Sequence, residues 1–303
     1  MRRRGRLRAV ASAVLLTLTL GACGATTAGD GDLTGDWAIL PEAKVPPPAN
    51  NVCRDGGANT VDWDLEAFDN AEMSCSTPHV TETYHVGTIT DAKTVALTEP
   101  PGVGEPAFKP LYQTCVKKAV EFLGGDYHRA RVAIVPVVAT DTQWQAGARF
   151  YRCELQEVQA SRKVVKRTSS ARDGLRGKKP LAIGCANSSV DSADQLTYFT
   201  WISCSKPHTM EFTGVFTHKA GTFPSEKTLY ERASDGCLAV GTRFTGYSVS
   251  QMQASGGFQW VFSGLDDVET LWSMGDRTHR CYLGSYPQKK RTGSIKGKLP
   301  SQW

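Results

Sequence analysis

Cys75-Ser76-Thr77-Pro78-His79-Val80-Thr81-Glu82 comes back in the same chain as Cys204-Ser205-Lys206-Pro207-His208-Thr209-Met210-Glu211, and this return decides how the 303 residues are read. A second pattern, Trp144-x-x-Gly147-x-Arg149-x-x-Arg152-Cys153, returns as Trp272-x-x-Gly275-x-Arg277-x-x-Arg280-Cys281. The first Cys and the Trp are 69 residues apart in one copy and 68 in the other. Two unrelated motifs recurring in the same order at nearly equal spacing mark an internal duplication. The copies are expected over residues 51–160 and 181–303.

Within each copy the local signals repeat as well. Val80, Glu82, Tyr84, Val86 and Thr88 alternate with Thr81, Thr83, His85 and Gly87, a period of two that predicts a strand. Met210 to Thr217 reads the same way. Leu111, Cys115, Ala119 and Phe122 recur at helical spacing, and Gly124-Gly125 supplies a stop. Ser225 is the expected N-cap of a second helix through Leu229, Ala233 and Cys237. Val132 to Val138 and Phe258 to Phe262 are further strand candidates, and Trp-x-x-Gly-x-Arg opens a last strand ending at Cys153 or Cys281. Each copy is expected to be α+β, a small antiparallel sheet with one helix packed across a face and two disulfides.

Nine cysteines frame this plan. Eight of them fall four to a copy: Cys53, Cys75, Cys115 and Cys153, then Cys185, Cys204, Cys237 and Cys281. Four cysteines allow three pairings. The expected one joins the cysteine ahead of the strand to the helix cysteine, Cys75–Cys115 and Cys204–Cys237, because the helix must dock on the sheet. The outer pairs are then Cys53–Cys153 and Cys185–Cys281, since the first and last strands of a repeat often adjoin.

The ninth, Cys23, belongs to the N-terminus. Arg2, Arg3, Arg4, Arg6 and Arg8 precede an apolar stretch from Ala9 to Ala22. That stretch is shorter than the roughly 20 apolar residues needed to span a bilayer, and it has the layout of a secretory signal. Leu20-Gly21-Ala22-Cys23 resembles the lipobox of bacterial lipoproteins, which implies removal of residues 1–22 and lipidation of Cys23. Two acyl chains suffice for stable anchoring. An ordinary signal cleaved near Ala22 is the alternative. The chain is therefore expected outside the cell, lipid-anchored to the outer face of the membrane, where disulfides persist. Residues 23–50, ending in Pro46-Pro47-Pro48, read as a disordered tether with a stiff end.

Charge excludes one class of partner. The five arginines of the signal account for the whole formal net charge of +5, so the remainder is neutral and nucleic-acid binding is not indicated. Residues 161–180 stand out, with eight basic residues against Asp173 alone. They are expected to be a solvated basic linker between copies, or else a contact for acidic headgroups or wall polymers.

In combination, Cys-Ser-x-Pro-His, the helix Cys and Trp-x-x-Gly-x-Arg-x-x-x-Cys resemble the septum-formation domain of secreted and membrane-linked actinomycete proteins. The tail Arg291-Thr292-Gly293-Ser294-Ile295-Lys296-Gly297 adds to the likeness, and Arg167-Thr168-Ser169-Ser170 is a partial echo of it in the first copy. The resemblance implies an envelope location and an association with septation. It carries no catalytic activity, and no cofactor.

The chemistry-bearing residues are His79, Glu82 and Arg149, with their counterparts His208, Glu211 and Arg277. A His and a carboxylate can serve acid–base catalysis or bind a metal. Residues i and i+3 of a strand point to opposite faces, however, and no His-Glu-x-x-His or Gly-x-Ser-x-Gly stands in the chain. No metal is expected. The structural reading has each His ring bonding backbone near a disulfide, Trp144 and Trp272 packing over the sheet edge, and Gly147 and Gly275 supplying turns. It pairs Arg149 with Glu82 and Arg277 with Glu211. Alternatively the six residues form a polar patch for an envelope protein or cell-wall polymer. The expected function is non-enzymatic binding or scaffolding in the envelope; the competing one is a cell-wall hydrolase using His79 or His208.

Overall fold

The computed structural model describes residues 45–55, 61, 71–159, 163–190, 196–254, 257–262, 268–285, 289–299 and 302. The signal segment 1–22, Cys23 and the tether up to residue 44 lie outside the described residues. Strands β1 (Val52–Arg54), β2 (Glu72–Met73), β3 (Thr81–Thr88), β4 (Val132–Val138) and β5 (Phe150–Glu157) form one sheet in the order β2-β1-β3-β5-β4. Helices α1 (Ala92–Val95), α2 (Lys109–Leu123) and α3 (Asp141–Gln145) accompany it. Strands β6 (Cys185–Val190), β7 (Leu196–Ile202), β8 (Met210–Thr217), β9 (Gly257–Phe262) and β10 (Thr278–Ser285) form a second sheet in the order β7-β6-β8-β10-β9. Its helices are α4 (Glu226–Thr245), α5 (Val249–Ala254) and α6 (Val268–Met274). All pairings in both sheets are antiparallel, and the two strand orders are the same once equivalent strands are matched.

The helices start and stop where their sequence signals stand. Helix α2 ends at Gly124, whose φ of 77° lies in the left-handed region that glycine enters without steric cost. The Ser225 hydroxyl caps α4 by accepting from Thr228 N–H. Leu111, Tyr112, Cys115, Ala119 and Phe122 form the buried face of α2 and share a core with Tyr84, Ile134 and Leu155 of the sheet. The last strand differs from expectation. Trp144 lies on α3, which a capping box between Thr140 and Gln143 nucleates. The chain then turns at Gly147, with φ 86°, and β5 runs through Cys153 to Glu157 instead of ending at the cysteine.

The disulfides correct the expected pairing. They are Cys53–Cys75, Cys115–Cys153, Cys185–Cys204 and Cys237–Cys281. The helix cysteines do clamp α2 and α4 to their sheets, but through the strand that follows the helix. Strand β2 folds back on β1 with Cys53 opposite Met73, which leaves Cys75 two residues away from that pair and beside Cys53. Cys153 projects from the second-from-edge strand β5 toward α2, with a Cα–Cα separation of 5.3 Å from Cys115.

The basic segment is a second departure. Residues 163–180 do not run free between the copies. Arg167 exchanges two backbone hydrogen bonds with His79, at 2.8 and 2.9 Å, and Ala171, Leu175 and Leu181 enter the core of the first sheet. Arg167 is largely buried against Glu157, and the other cations stay at the surface between these apolar residues. Lys166 pairs with Asp55 at 2.7 Å, Arg176 pairs with Asp173 at 3.3 Å, and Arg172 covers the Phe122 ring at 4.6 Å. The tail of the second copy does the same: Arg291 bonds His208 twice through the backbone, and Ile295 is buried with Met252 and Leu283.

Residues Lys44–Trp303 form one compact unit. Leu271 and Met274 of α6 belong to the core under the first sheet. A polar joint lies beside them. Asp276 accepts hydrogen bonds from the hydroxyls of Tyr112, at 2.9 Å, and Tyr127, and from His128 Nε2 at 3.0 Å. Arg280 donates to the carbonyls of His128 and Ala130 at 2.9 and 3.1 Å.

Candidate functional site

Both copies of the Pro-His motif build the same arrangement. Proline, which has no N–H, stands just ahead of the strand. The His79 ring donates from Nδ1 to Thr77 O at 2.7 Å, and His208 donates to Lys206 O at 2.8 Å. Both rings are 0–1 % exposed. A nitrogen of His79 and the sulfurs of Cys53 and Cys75 lie within 4.8 Å of one another, and so do Cys185, Cys204 and Glu211. These sulfurs are bonded to each other, so neither group is a thiolate ligand set.

The glutamates are held by the tails. Glu82 accepts from the Ser170 hydroxyl at 2.5 Å and from Ala171 N–H at 2.7 Å. Glu211 accepts from the Ser294 hydroxyl and Ile295 N–H, both at 2.7 Å. This explains the echo between Arg167-Thr168-Ser169-Ser170 and Arg291-Thr292-Gly293-Ser294. Arginine pairs its backbone with the histidine, and three residues later a serine and the following N–H close on the glutamate. The first copy builds this clamp without Gly-Ser-x-x-Gly.

The expected Arg149–Glu82 and Arg277–Glu211 pairs do not form. Antiparallel register is the reason: Phe150 lies opposite Thr88, whereas Glu82 lies opposite Leu155. Six residues of strand, about 20 Å at the usual rise, separate the two ends. In the second copy Thr278 faces Thr217 and Leu283 faces Glu211. Arg149 instead lies 3.9 Å over the Trp144 ring and donates to the carbonyls of Val95, Trp144 and Ala148. Arg277 lies 5.8 Å from the Trp272 ring centre. The six candidates therefore make two His–Glu–tail clamps at one end of the sheets and two Trp–Arg stacks at the other, and no single patch.

The sequence reading also passed over the face of the first sheet opposite α2. Glu154 is wholly buried there, ion-paired with Arg152 Nε at 2.8 Å and Arg54 at 3.3 Å, and accepts from the Thr83 hydroxyl at 2.8 Å. Burial pushes its carboxyl above the usual range although both arginines oppose this. In the second copy Tyr282 and Phe212 take the places of Glu154 and Thr83, and they cluster with Phe199 and Trp201. The joint around His128 and Asp276 was missed as well. Burial alone lowers the pKa of His128, but hydrogen bonds and charges from Asp126 and Asp276 raise it overall. Burial works against the Asp276 carboxylate, yet His128, Tyr127 and Tyr112 hold it well below the usual carboxylate range. Its position in the first copy is Ala148, so the repeat pattern carried no signal for it.

Compared with known proteins, the chain matches the family model described as septum formation over residues 56–281, more than half its length. No curated protein and no solved structure matches it.

Proposed function

We propose, for a chain that belongs to the septum-formation family, a non-enzymatic binding or scaffolding role in the cell envelope in support of cell division. The observation that carries this reading is the closure of both His–Glu clusters by the tails. Each glutamate spends its two oxygens on a serine and a backbone N–H, and each histidine is sealed beside a disulfide. The polar residues shared by the copies thus act as fasteners between tail, sheet and disulfide. Four disulfides favour an oxidising, extracytoplasmic location. In this reading Cys23 carries the lipid, residues 24–50 act as a tether, and the two like-ordered sheets descend from one duplicated module. No helix among the described residues is long and apolar enough to cross a membrane.

Localisation tests the proposal. A fluorescent fusion of the full chain should concentrate at forming septa, and Cys23→Ser should release it from the membrane. Uniform distribution through the division cycle refutes the septal role. Peptidoglycan turnover by the purified chain that disappears in the His79→Ala, His208→Ala double variant would establish the hydrolase instead.

A further inference from the structure

The two copies differ at the end of the sheet that carries the Trp–Arg stacks. In the first copy, residues 89–108 connect β3 to α2 and include α1. This connection covers the stack, with Leu97 O accepting from Trp144 Nε1 at 2.8 Å and Val95 O from Arg149 at 3.1 Å. In the second copy only residues 218–225 connect β8 to α4. That shorter connection offers Gly221 O to Trp272 Nε1 at 2.8 Å. Arg277 stands further from its ring, and its buried Nε has no hydrogen-bond partner among the described residues.

Side chains change in step with the connection. Ile89 and His218 are equivalent: Ile89 N–H bonds Arg149 O, and His218 N–H bonds Arg277 O. Ile89 is core, so an imidazole stands where an alkyl chain fills the first copy. The cross-strand pair Gly87–Tyr151 becomes Phe216–His279. The Tyr151 ring occupies the space over Gly87, whereas the Phe216 ring turns against Gly236 of α4. A smaller ring on β10 and a shorter cover leave a cavity of about 740 Å³, lined by Phe216, His218, Lys219, Arg232, Asp235 and Trp272.

Three features of this cavity point to a ligand. His218 is 6 % exposed, and its ring forms part of the cavity wall beside Phe216 and Trp272. Burial and the charge of Arg232 hold its pKa below the ordinary value, so the ring offers one donor and one acceptor at neutral pH. Lys219 and Arg232 are exposed at the rim, and neither has an ion-pair partner among the described residues, so the rim carries excess positive charge beside Asp235. Aromatic walls and a volume in the range of small-molecule pockets suit a ring-sized body.

We infer that the second copy binds a small ring-bearing carboxylate of the kind left on cell-wall glycan where its peptide stems have been removed, with the ring against Phe216 and His218 and the carboxylate toward Arg232 and Lys219. The first copy has this space filled by Tyr151 and Ile89. The wall as the source rests on the envelope reading above; the recognition chemistry does not.

The probe is N-acetylmuramic acid, a sugar carrying a lactyl carboxylate, compared with N-acetylglucosamine, which lacks it, and with lactate, which lacks the ring. Binding is read on the disulfide-bonded full chain and its variants by titration calorimetry, and the imidazole resonances of His218 in the parent place it in the cavity. N-acetylmuramic acid is expected to bind saturably and at least about tenfold more tightly than either comparison compound, a 1.4 kcal/mol difference. Arg232→Gln should remove most of that preference, and His218→Ile, which copies the first repeat, should abolish binding. Arg232 is exposed, so its variant is safe for folding, and peptide mapping of the four disulfides checks both. No saturable binding, equal binding of the uncharged sugar or of lactate, or unchanged binding by either variant overturns the assignment. If septal localisation holds while the cavity stays empty, only this inference fails. If the cavity binds and localisation fails, the binding site stands and the envelope role falls.

Discussion

At the scale of single residues, the glutamates of the Pro-His motif are the first to test. A Gln at position 82 keeps the shape but replaces one acceptor oxygen with an amide that faces Ser170 or the N–H of Ala171. Because hydrogen bonds to charged groups are the stronger class, Glu82→Gln and Glu211→Gln should each cost about 2 kcal/mol, and Ser170→Ala about 1 kcal/mol, in urea unfolding. Variants within 0.5 kcal/mol of the parent would show that the tails are held by something else. The histidines set the pH profile. His128 has a folded pKa raised above 6.5, so its stabilisation is complete below pH 6.5 and is lost as pH climbs through the folded value. Asp276 contributes above 3.8 and loses that contribution only in stronger acid. His279 has the opposite sign. Burial and the neighbouring His218 lower it to about 4, against the charge of Asp276. The unfolded chain therefore takes up that proton first as pH falls from 6.5 toward 4, at a cost of up to roughly 3 kcal/mol. The melting temperature should peak near pH 6.5. His128→Asn should flatten the alkaline side of the curve and His279→Asn the acid side, both read by calorimetry. None of this was visible in the sequence, because burial and neighbours across the fold produce each shift.

At the scale of elements, periodicity and caps did most of the work. The helix through Leu111, Cys115, Ala119 and Phe122 and the strands Val132–Val138 and Met210–Thr217 stand where their patterns put them. Strands β1 and β2 span three and two residues, too few for a period to register. Their counterparts β6 and β7, of six and seven residues, were passed over as well, and missing both pairs led to the wrong disulfide partners, since these antiparallel pairs bring Cys75 to Cys53 and Cys204 to Cys185. Non-reducing peptide mapping should recover Cys53–Cys75 and Cys115–Cys153 with their two counterparts. Replacing Cys115 and Cys153 together by Ala opens a loop of 38 residues and should cost about 4 kcal/mol by loop entropy. A loss below 1 kcal/mol would mean that α2 docks on the sheet without its staple. The basic segment was misread for a similar reason. Charge density dominated the reading, while the three residues that enter the core, Ala171, Leu175 and Leu181, stand scattered among the cations with no strand or helix period to mark them.

At the scale of the molecule, the two sheets answer to one joint. Asp276 gathers Tyr112, Tyr127 and His128 from the first copy onto the start of β10, and Arg280 reaches back to two carbonyls of that copy. Removing one member of a buried polar network leaves the others uncompensated, so Asp276→Ala should cost about 3–5 kcal/mol. Hydrogen exchange should show amides of both α2 and β10 losing protection together. Loss confined to the second copy would show that the sheets fold independently.

The sequence by itself determined the recurrence of the two motifs, the mixed helix and antiparallel-sheet character of the chain and the positions of the principal helices and strands. It did so because motif spacing, periods of 2 and 3.6, and caps are local properties of a chain. Only the tertiary structure decided which cysteines meet, which partner each glutamate and arginine takes, and where a cavity opens. Those outcomes depend on strand order, register and the length of the cover over each Trp, which bring together residues that no local pattern links.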